Sequence, residues 1–205
     1  MATGPLILGG CVTGTVVFDA ETREGAISGT PGRAGLVIAA PHSTSDVRTA
    51  DIAADLGRRT GFGVVIATGS ALDLYEARVR EVARGPLRFL AEIHGDTRGD
   101  AAERIEIATV GVDRELAFRL RALLELIRDA HLQGSAAAPR LPVLIEPADA
   151  LRDTASGAKC CGSLTLPERA LHIELPKAAR AEWREVYTAI LADFLVQAAA
   201  YDPGR

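Results

Sequence analysis

This chain of 205 residues has few aromatic residues, a small net charge and no long apolar run. Aromatics make up 4% of the sequence, which argues against a surface on which nucleic-acid bases stack. The formal net charge is −4 and charges of both signs are interleaved, so we expect no nucleic-acid partner. No stretch approaches the length of a membrane span, so we expect no membrane partner either.

Cysteine is also rare, with three residues at Cys11, Cys160 and Cys161. Their number is odd, their spacing is not that of metal ligands, and adjacent cysteines make a poor disulfide framework. We therefore expect a reducing, cytoplasmic location. Because Cys160 and Cys161 lie in a Gly/Ser-containing stretch predicted to be a flexible loop, a thiol nucleophile there is a weaker alternative.

The rest of the composition is that of an ordinary globular protein, with 48% apolar and 24% charged residues. Short apolar runs alternate with segments of helical periodicity, which predicts an α/β fold. We expect one domain over residues 1–205, with a mixed sheet flanked by helices. The local pattern also predicts a strand pair or hairpin within residues 5–19, a helix over Leu72–Ala83, a helix capped by Asp113 and one final helix that starts after Pro176.

The most informative stretch runs from Gly35 to Asp46, with the sequence GLVIAAPHSTSD. Its uncharged apolar run predicts a buried parallel strand. His42 then lies at the carboxyl end of that strand, the edge where open α/β sheets bind ligands. Thr44 or Ser45 is expected to cap a helix whose first turn carries Asp46.

Two further segments end in the same way. PLRFLAEIHGD places His94 after an apolar run, and ALHIELPK places His172 and Glu174 on one face of a strand, since side chains alternate with period two. Two histidines, one carboxylate and an open position form a usual catalytic zinc site. The sequence thus predicts a metal site made of His42, Asp46 and His94.

Other choices stay open. Asp46 could instead be an acid that stabilises its own helix, with Asp51 or Asp73 replacing it as a ligand. His172 could be the third ligand. Asp96 could accept a hydrogen bond from a ligand imidazole, whereas His131, near a helix end, is interpreted as structural.

Glu174 is the predicted general base, because an acid between Ile173 and Leu175 in an apolar strand is costly unless it is paired or functional. Arg98, and after it Arg48, are predicted to bind a substrate carboxylate, since guanidinium forms a bidentate pair with that group. For any single arginine, a solvated surface position is the alternative.

The blocks VIAAPHSTSD, FLAEIHGDTR and LHIELPKAAR resemble those of N-formylglutamate amidohydrolases and the related poly-γ-glutamate hydrolase-like, zinc carboxypeptidase-related proteins. The resemblance implies a phosphorylase/peptidase-like, three-layer α/β fold, with zinc held by two histidines and a carboxylate. It also implies hydrolysis of an amide next to a carboxylate. The chain departs from the family's Asp-x-Asn-Arg element, since LDLYEAR has Tyr75 in place of the asparagine.

The resulting hypothesis is a cytoplasmic zinc-dependent amidohydrolase that cleaves a C–N bond in a small acidic N-acyl amino acid or glutamyl-type peptide. The alternative is a non-catalytic α/β binding domain that has kept the fold and lost the metal site. A homo-oligomer is compatible with the sequence, which does not specify the assembly.

Overall fold

A computed structural model describes residues 20–22, 25–69, 72–96, 103–133 and 137–201 of the chain. The hairpin predicted within residues 5–19, Cys11 and Arg98 lie outside the described residues. Eight strands form one mixed sheet in the order β1-β2-β4-β3-β5-β8-β6-β7. The strands are β1 Ala20–Thr22, β2 Gly25–Thr30, β3 Arg33–Ala40, β4 Phe62–Ala67, β5 Phe89–Gly95, β6 Ile105–Val110, β7 Val143–Ile145 and β8 Arg169–Leu175.

The helices cover both faces of this sheet. They are α1 Thr49–Thr60, α2 Leu72–Ala83, α3 Arg114–His131, α4 Ser156–Cys161, α5 Lys177–Arg180 and α6 Arg184–Ala200, with a short 3-10 turn at Ser163–Thr165. Apolar residues of α1, α3 and α6 pack on one face, and those of α2 pack on the other. None of the helices in the described part of the chain combines the length and apolarity needed to cross a membrane.

The centre of the sheet consists of four neighbouring parallel strands, β4, β3, β5 and β8. All seven residues of β5 are buried, as expected for a central parallel strand covered on both faces, although the strand includes Glu92 and His94. β2 and β6 flank these strands in antiparallel orientation. The predicted fold class, a mixed α/β sheet between two helical layers, is confirmed.

Three local predictions were wrong. The helix after His42 begins at Thr49, not Asp46, and no side chain caps it. The stretch around Cys160 forms the short helix α4 rather than a loop, and a disulfide joins Cys160 to Cys161. The last helical segment is divided into α5 and α6. By contrast, the cap predicted at Asp113 is confirmed, because the Leu116 amide donates a hydrogen bond to its side chain.

Candidate metal centre at the carboxyl ends of the central strands

Four polar side chains of β5 and β8 share one face of the sheet. The strand register pairs Glu92 with His172 and His94 with Glu174. Side chains two residues apart lie on the same face of a strand, so these two pairs form a compact square. All four residues are buried, which is unusual for ionisable groups unless they are paired or bind a ligand.

The turn after β3 adds His42 and Asp46 to this square. The Asp46 amide donates to the His42 carbonyl at 2.8 Å, and the Thr49 amide donates to the Asp46 carbonyl at 3.1 Å. These bonds hold residues 42–48 in a turn outside the helix, which explains why the predicted cap does not form. The turn aims Asp46 at the sheet, so its alternative role as an acid in the first helical turn is excluded.

The imidazoles expected to meet at this edge do so. The rings of His42 and His94 lie 5.5 Å apart, and His94 stacks on His172 with 4.0 Å between ring centroids. Asp46 Oδ2 lies 3.3 Å from His94 Nδ1. The structure therefore gathers His42, Asp46 and His172 around His94, while the role of each residue stays a prediction.

Glu92 is the site residue that the sequence analysis missed. Its side chain is 2% exposed, and the Tyr75 hydroxyl donates to its Oε1 at 2.7 Å. Its other oxygen, Oε2, lies 3.6 Å from both His94 Nε2 and His172 Nδ1. The signal was available, because Glu92 is an acid within an apolar strand, the same feature that singled out Glu174.

The ring nitrogens facing Glu92 show whether a metal ion fits these residues. His94 Nε2 and His172 Nδ1 are fully buried and have no hydrogen-bond partner among the described residues. Buried polar atoms almost always have a partner, so two such atoms facing one carboxylate call for an explanation. One ligand atom from each of Glu92, His94 and His172 can be chosen so that all lie within 4.8 Å of one another. These three residues could hold a metal ion.

The outer ring nitrogens support the same conclusion. His94 Nδ1 faces Asp46, and His172 Nε2 lies 3.2 Å from Glu174 Oε1. A metal-ligating histidine usually donates its other N–H to a carboxylate, which fixes its tautomer and orientation. Each imidazole here has one nitrogen toward a carboxylate partner and one toward the centre of the cluster.

The electrostatics of the cluster favour a positive charge. Burial acts to lower the pKa of His94, but the neighbouring carboxylates of Asp46 and Glu92 outweigh it and raise that pKa to about 9. The pKa of His172 is raised against burial by Glu174 and Glu92, and the same imidazoles hold the pKa of Glu92 well below its usual range despite burial. The carboxylates of the cluster thus favour a positive charge among the imidazoles, carried either by protons or by a bound cation.

A cavity of about 240 Å³ opens onto this cluster. His42, Glu92, His94 and His172 form one side, and Gly157, Ala158, Gly162 and Ser163 in and after α4 line another part. Leu72 and Tyr75 of α2 complete much of the lining. No lysine or arginine of the described residues is among the side chains that line it.

Four other candidates do not line this cavity: Arg48, Asp51, Asp73 and His131. Arg48 is exposed and pairs with Asp51 at 3.2 Å, so neither joins the cluster. Asp73 is exposed on α2. His131 pairs with Asp193 at 2.8 Å at the end of α3, consistent with its structural interpretation. Arg98 lies outside the described residues.

No family model and no curated protein matches this chain significantly. Several solved structures share its fold. YndL in a zinc-free form superposes with a TM-score of 0.57 at 12% identity, covering 86% of this chain and 91% of that one. A bacteriophage poly-γ-glutamate hydrolase gives a TM-score of 0.54 at 12% identity, covering 86% and 88%. A gene product of Agrobacterium tumefaciens gives 0.51 at 12% identity, covering 84% and 92%. At this level of identity the likeness shows the fold alone, and it agrees with the fold expected from the resemblance.

Proposed function

We propose that this protein is a metal-dependent hydrolase that cleaves an amide or peptide bond at the cluster around His94. The observation that carries the proposal is the pair of buried, unpartnered imidazole nitrogens facing Glu92. The shared fold with a poly-γ-glutamate hydrolase supports this reaction class. Imidazole and carboxylate ligands suit zinc, which is our proposed ion.

Two ligand sets can be built around His94. In the first, Glu92, His94 and His172 hold the ion, and Asp46 and Glu174 orient the two imidazoles from outside. In the second, predicted from the sequence, His42, Asp46 and His94 are the ligands, and Glu174 acts as the general base. The first set is favoured by the burial and distances above, and both require His94.

The bound zinc would polarise the scissile carbonyl and lower the pKa of a coordinated water. The protein's own contribution is to hold and move protons around it. Glu174 contacts His172 Nε2 at 3.2 Å and lies at the end of β8, where it can take a proton from water and deliver it to the leaving amine. The Tyr75 hydroxyl fixes the Glu92 carboxylate through its 2.7 Å bond.

For the substrate we propose a small acidic N-acyl amino acid or a glutamyl-type peptide, processed in the cytoplasm. The support is the resemblance of the three sequence blocks and the fold shared with the bacteriophage enzyme. For recognition of the substrate carboxylate we propose Arg98, with Arg48, which pairs with Asp51 on the surface, as the second candidate. The subfamily, N-formylglutamate amidohydrolase-like, belongs to the same proposal.

Metal analysis of purified protein tests the proposal and separates the ligand sets. We expect one zinc per chain, lost in His94→Ala, with amide hydrolysis abolished by a chelator and restored by zinc. Glu92→Gln and His172→Ala should abolish zinc uptake if the first set is correct. His42→Ala and Asp46→Asn should do so if the second is correct. His131→Ala is the matched control, because that histidine pairs with Asp193 away from the cluster.

The competing hypothesis, a binding domain without a metal, makes the opposite prediction. Wild-type protein that takes up no zinc, cobalt or manganese at micromolar concentration would overturn the proposed function. Activity that survives chelation would overturn it as well.

A further inference from the structure

The Arg180 side chain is buried beside the candidate metal centre without lining its cavity. It is 7% exposed and lies at the end of α5, directly after β8. A guanidinium is always charged and carries five N–H donors, so its burial requires several acceptors. Within the described parts of the chain it has three acceptors, and all are backbone carbonyls.

Each carbonyl belongs to a different segment of the site. Arg180 Nε donates to the Leu175 carbonyl at 3.0 Å, Nη1 to the Val47 carbonyl at 2.6 Å, and Nη2 to the Asp96 carbonyl at 3.1 Å. These carbonyls lie one residue after Glu174, one after Asp46 and two after His94. One rigid group thus links the three chain segments that present those side chains.

Gly95 gives the guanidinium its room. A Cβ added at this position would lie 2.7 Å from Arg180 Cζ and 2.9 Å from Nη1, closer than real contacts allow. Gly95 is part of β5, next to His94, and its φ is not in the left-handed region. A side chain at position 95 would therefore displace the Arg180 guanidinium, whereas the backbone conformation there would accept one.

We propose that Arg180 is a positioning residue that sets the relative placement of Asp46, His94 and Glu174 through the backbone. Its importance for metal affinity rests on the proposed function, whereas its effect on the backbone does not. Both ligand sets need these three side chains, so the inference holds for either set.

Arg169 provides a matched control at the other end of β8. Its Nη1 donates to the carbonyls of Ala198 and Tyr201, both at 3.0 Å, near the end of α6. Arg169 thus binds backbone carbonyls as Arg180 does, but it does so at the end of α6, beside the amino end of β8. Arg180→Met and Arg169→Met both remove a guanidinium from backbone carbonyls, but only the first reaches the candidate site.

Amide hydrogen exchange on the metal-free full chain tests the backbone part. In Arg180→Met we expect exchange of the Asp46 and Asp96 amides to accelerate at least about tenfold, as for loss of a charged hydrogen bond. The Tyr201 amide should keep its rate. Arg169→Met should show the reverse pattern, and Arg180→Lys should recover part of the protection, since an ammonium cannot reproduce the planar fork.

Zinc titration of the same proteins tests the functional part. Arg180→Met should weaken zinc binding by about 10- to 100-fold, the usual cost of losing a group that orients ligands. Arg169→Met should leave it within about twofold. Should Arg180→Met fail to fold, Gly95→Ala keeps the guanidinium but displaces it, and the same two readouts apply.

Unchanged exchange at Asp46 and Asp96 in Arg180→Met would overturn the proposal. A uniform acceleration matching that of Arg169→Met would also overturn it, because Arg180 would then be a general stabilising residue. If wild-type protein binds no zinc, the proposed function fails, and the exchange measurement still decides the role of Arg180.

Discussion

The two ends of the central strands β3, β5 and β8 carry different chemistry. At the carboxyl ends, imidazoles and carboxylates surround a cavity of about 240 Å³. At the amino ends lies a larger cleft of about 480 Å³, lined by Arg33, Arg88, Glu168, Arg169 and Tyr201 over an apolar floor. The candidate site is in the smaller of the two spaces.

Hydrogen bonding identifies the candidate binding site better than the volume of the two cavities does. At the amino ends, Arg88 donates to the Ala34 carbonyl at 3.1 Å, and Arg169 binds two carbonyls through Nη1, although its Nε has no partner among the described residues. These arginines mainly satisfy backbone carbonyls at the ends of neighbouring chain segments. At the carboxyl ends, two inner nitrogens from two different strands face one shared carboxylate. Convergence of unpartnered groups, more than volume, identifies a binding site.

The largest difference between the two strand ends should appear when one carboxylate is removed at each end of β8. We expect Glu174→Gln to lower the hydrolysis rate by about 10²- to 10⁴-fold, the usual contribution of a general base. Glu168→Gln, in the amino-end cleft, should leave the rate unchanged. Steady-state kinetics with zinc-loaded protein measures both.

Zinc affinity of the same variants sharpens the assignment. A lower rate at unchanged affinity makes Glu174 the base, whereas weakened affinity makes it the group that orients His172. Equal rates for the two variants would contradict either role.

A smaller effect is expected from removing the hydroxyl that holds Glu92. Tyr75→Phe leaves a buried carboxylate short of one donor, which should cost about 1–3 kcal/mol of unfolding free energy. Tyr187→Phe is the matched variant, because Tyr187 is not part of the cluster. Its hydroxyl accepts a hydrogen bond of 3.1 Å from the Leu141 amide. Urea unfolding should show a loss in both, and zinc titration a change only in Tyr75→Phe. Unchanged zinc affinity in Tyr75→Phe would show that the hydroxyl does not position Glu92 for metal binding.

The smallest effect should come from the amino-end arginines. Arg33→Ala and Arg88→Ala remove exposed cations, and each should change the unfolding free energy by no more than about 0.5 kcal/mol. Neither should alter zinc affinity or the hydrolysis rate. A rate loss in either variant would show that the amino-end cleft contributes to function, and the contrast between the two ends would fail.

The sequence pattern predicted the central strands well because each is a short apolar run with a sharp end. His42, His94 and Glu174 lie at the one edge where the carboxyl ends of these neighbouring strands meet, and their roles there stay predictions. α2, expected over Leu72–Ala83, has those bounds in the structure.

Features that depend on contacts across strands were not predictable in this way. Which residue faces His172 is set by the register between β5 and β8, and this register is what brings Glu92 to the centre. The start of α1 was misjudged because bonds from Ser43 to the Ala67 carbonyl hold the preceding turn against β4. The bonds of Arg180 join positions up to 133 residues apart, and no local pattern encodes them.

The small residues of α4 opposite the histidines have a consequence for substrate choice. Gly157 and Ala158 contribute almost no side-chain volume, and a Cβ added at Gly157 would touch nothing within 4 Å. A bulkier residue there would narrow the cavity without replacing any ionisable group that lines it. In the proposed hydrolase, the width of the substrate cavity and the groups that react are thus encoded in separate parts of the chain, so that each can change while the other is kept.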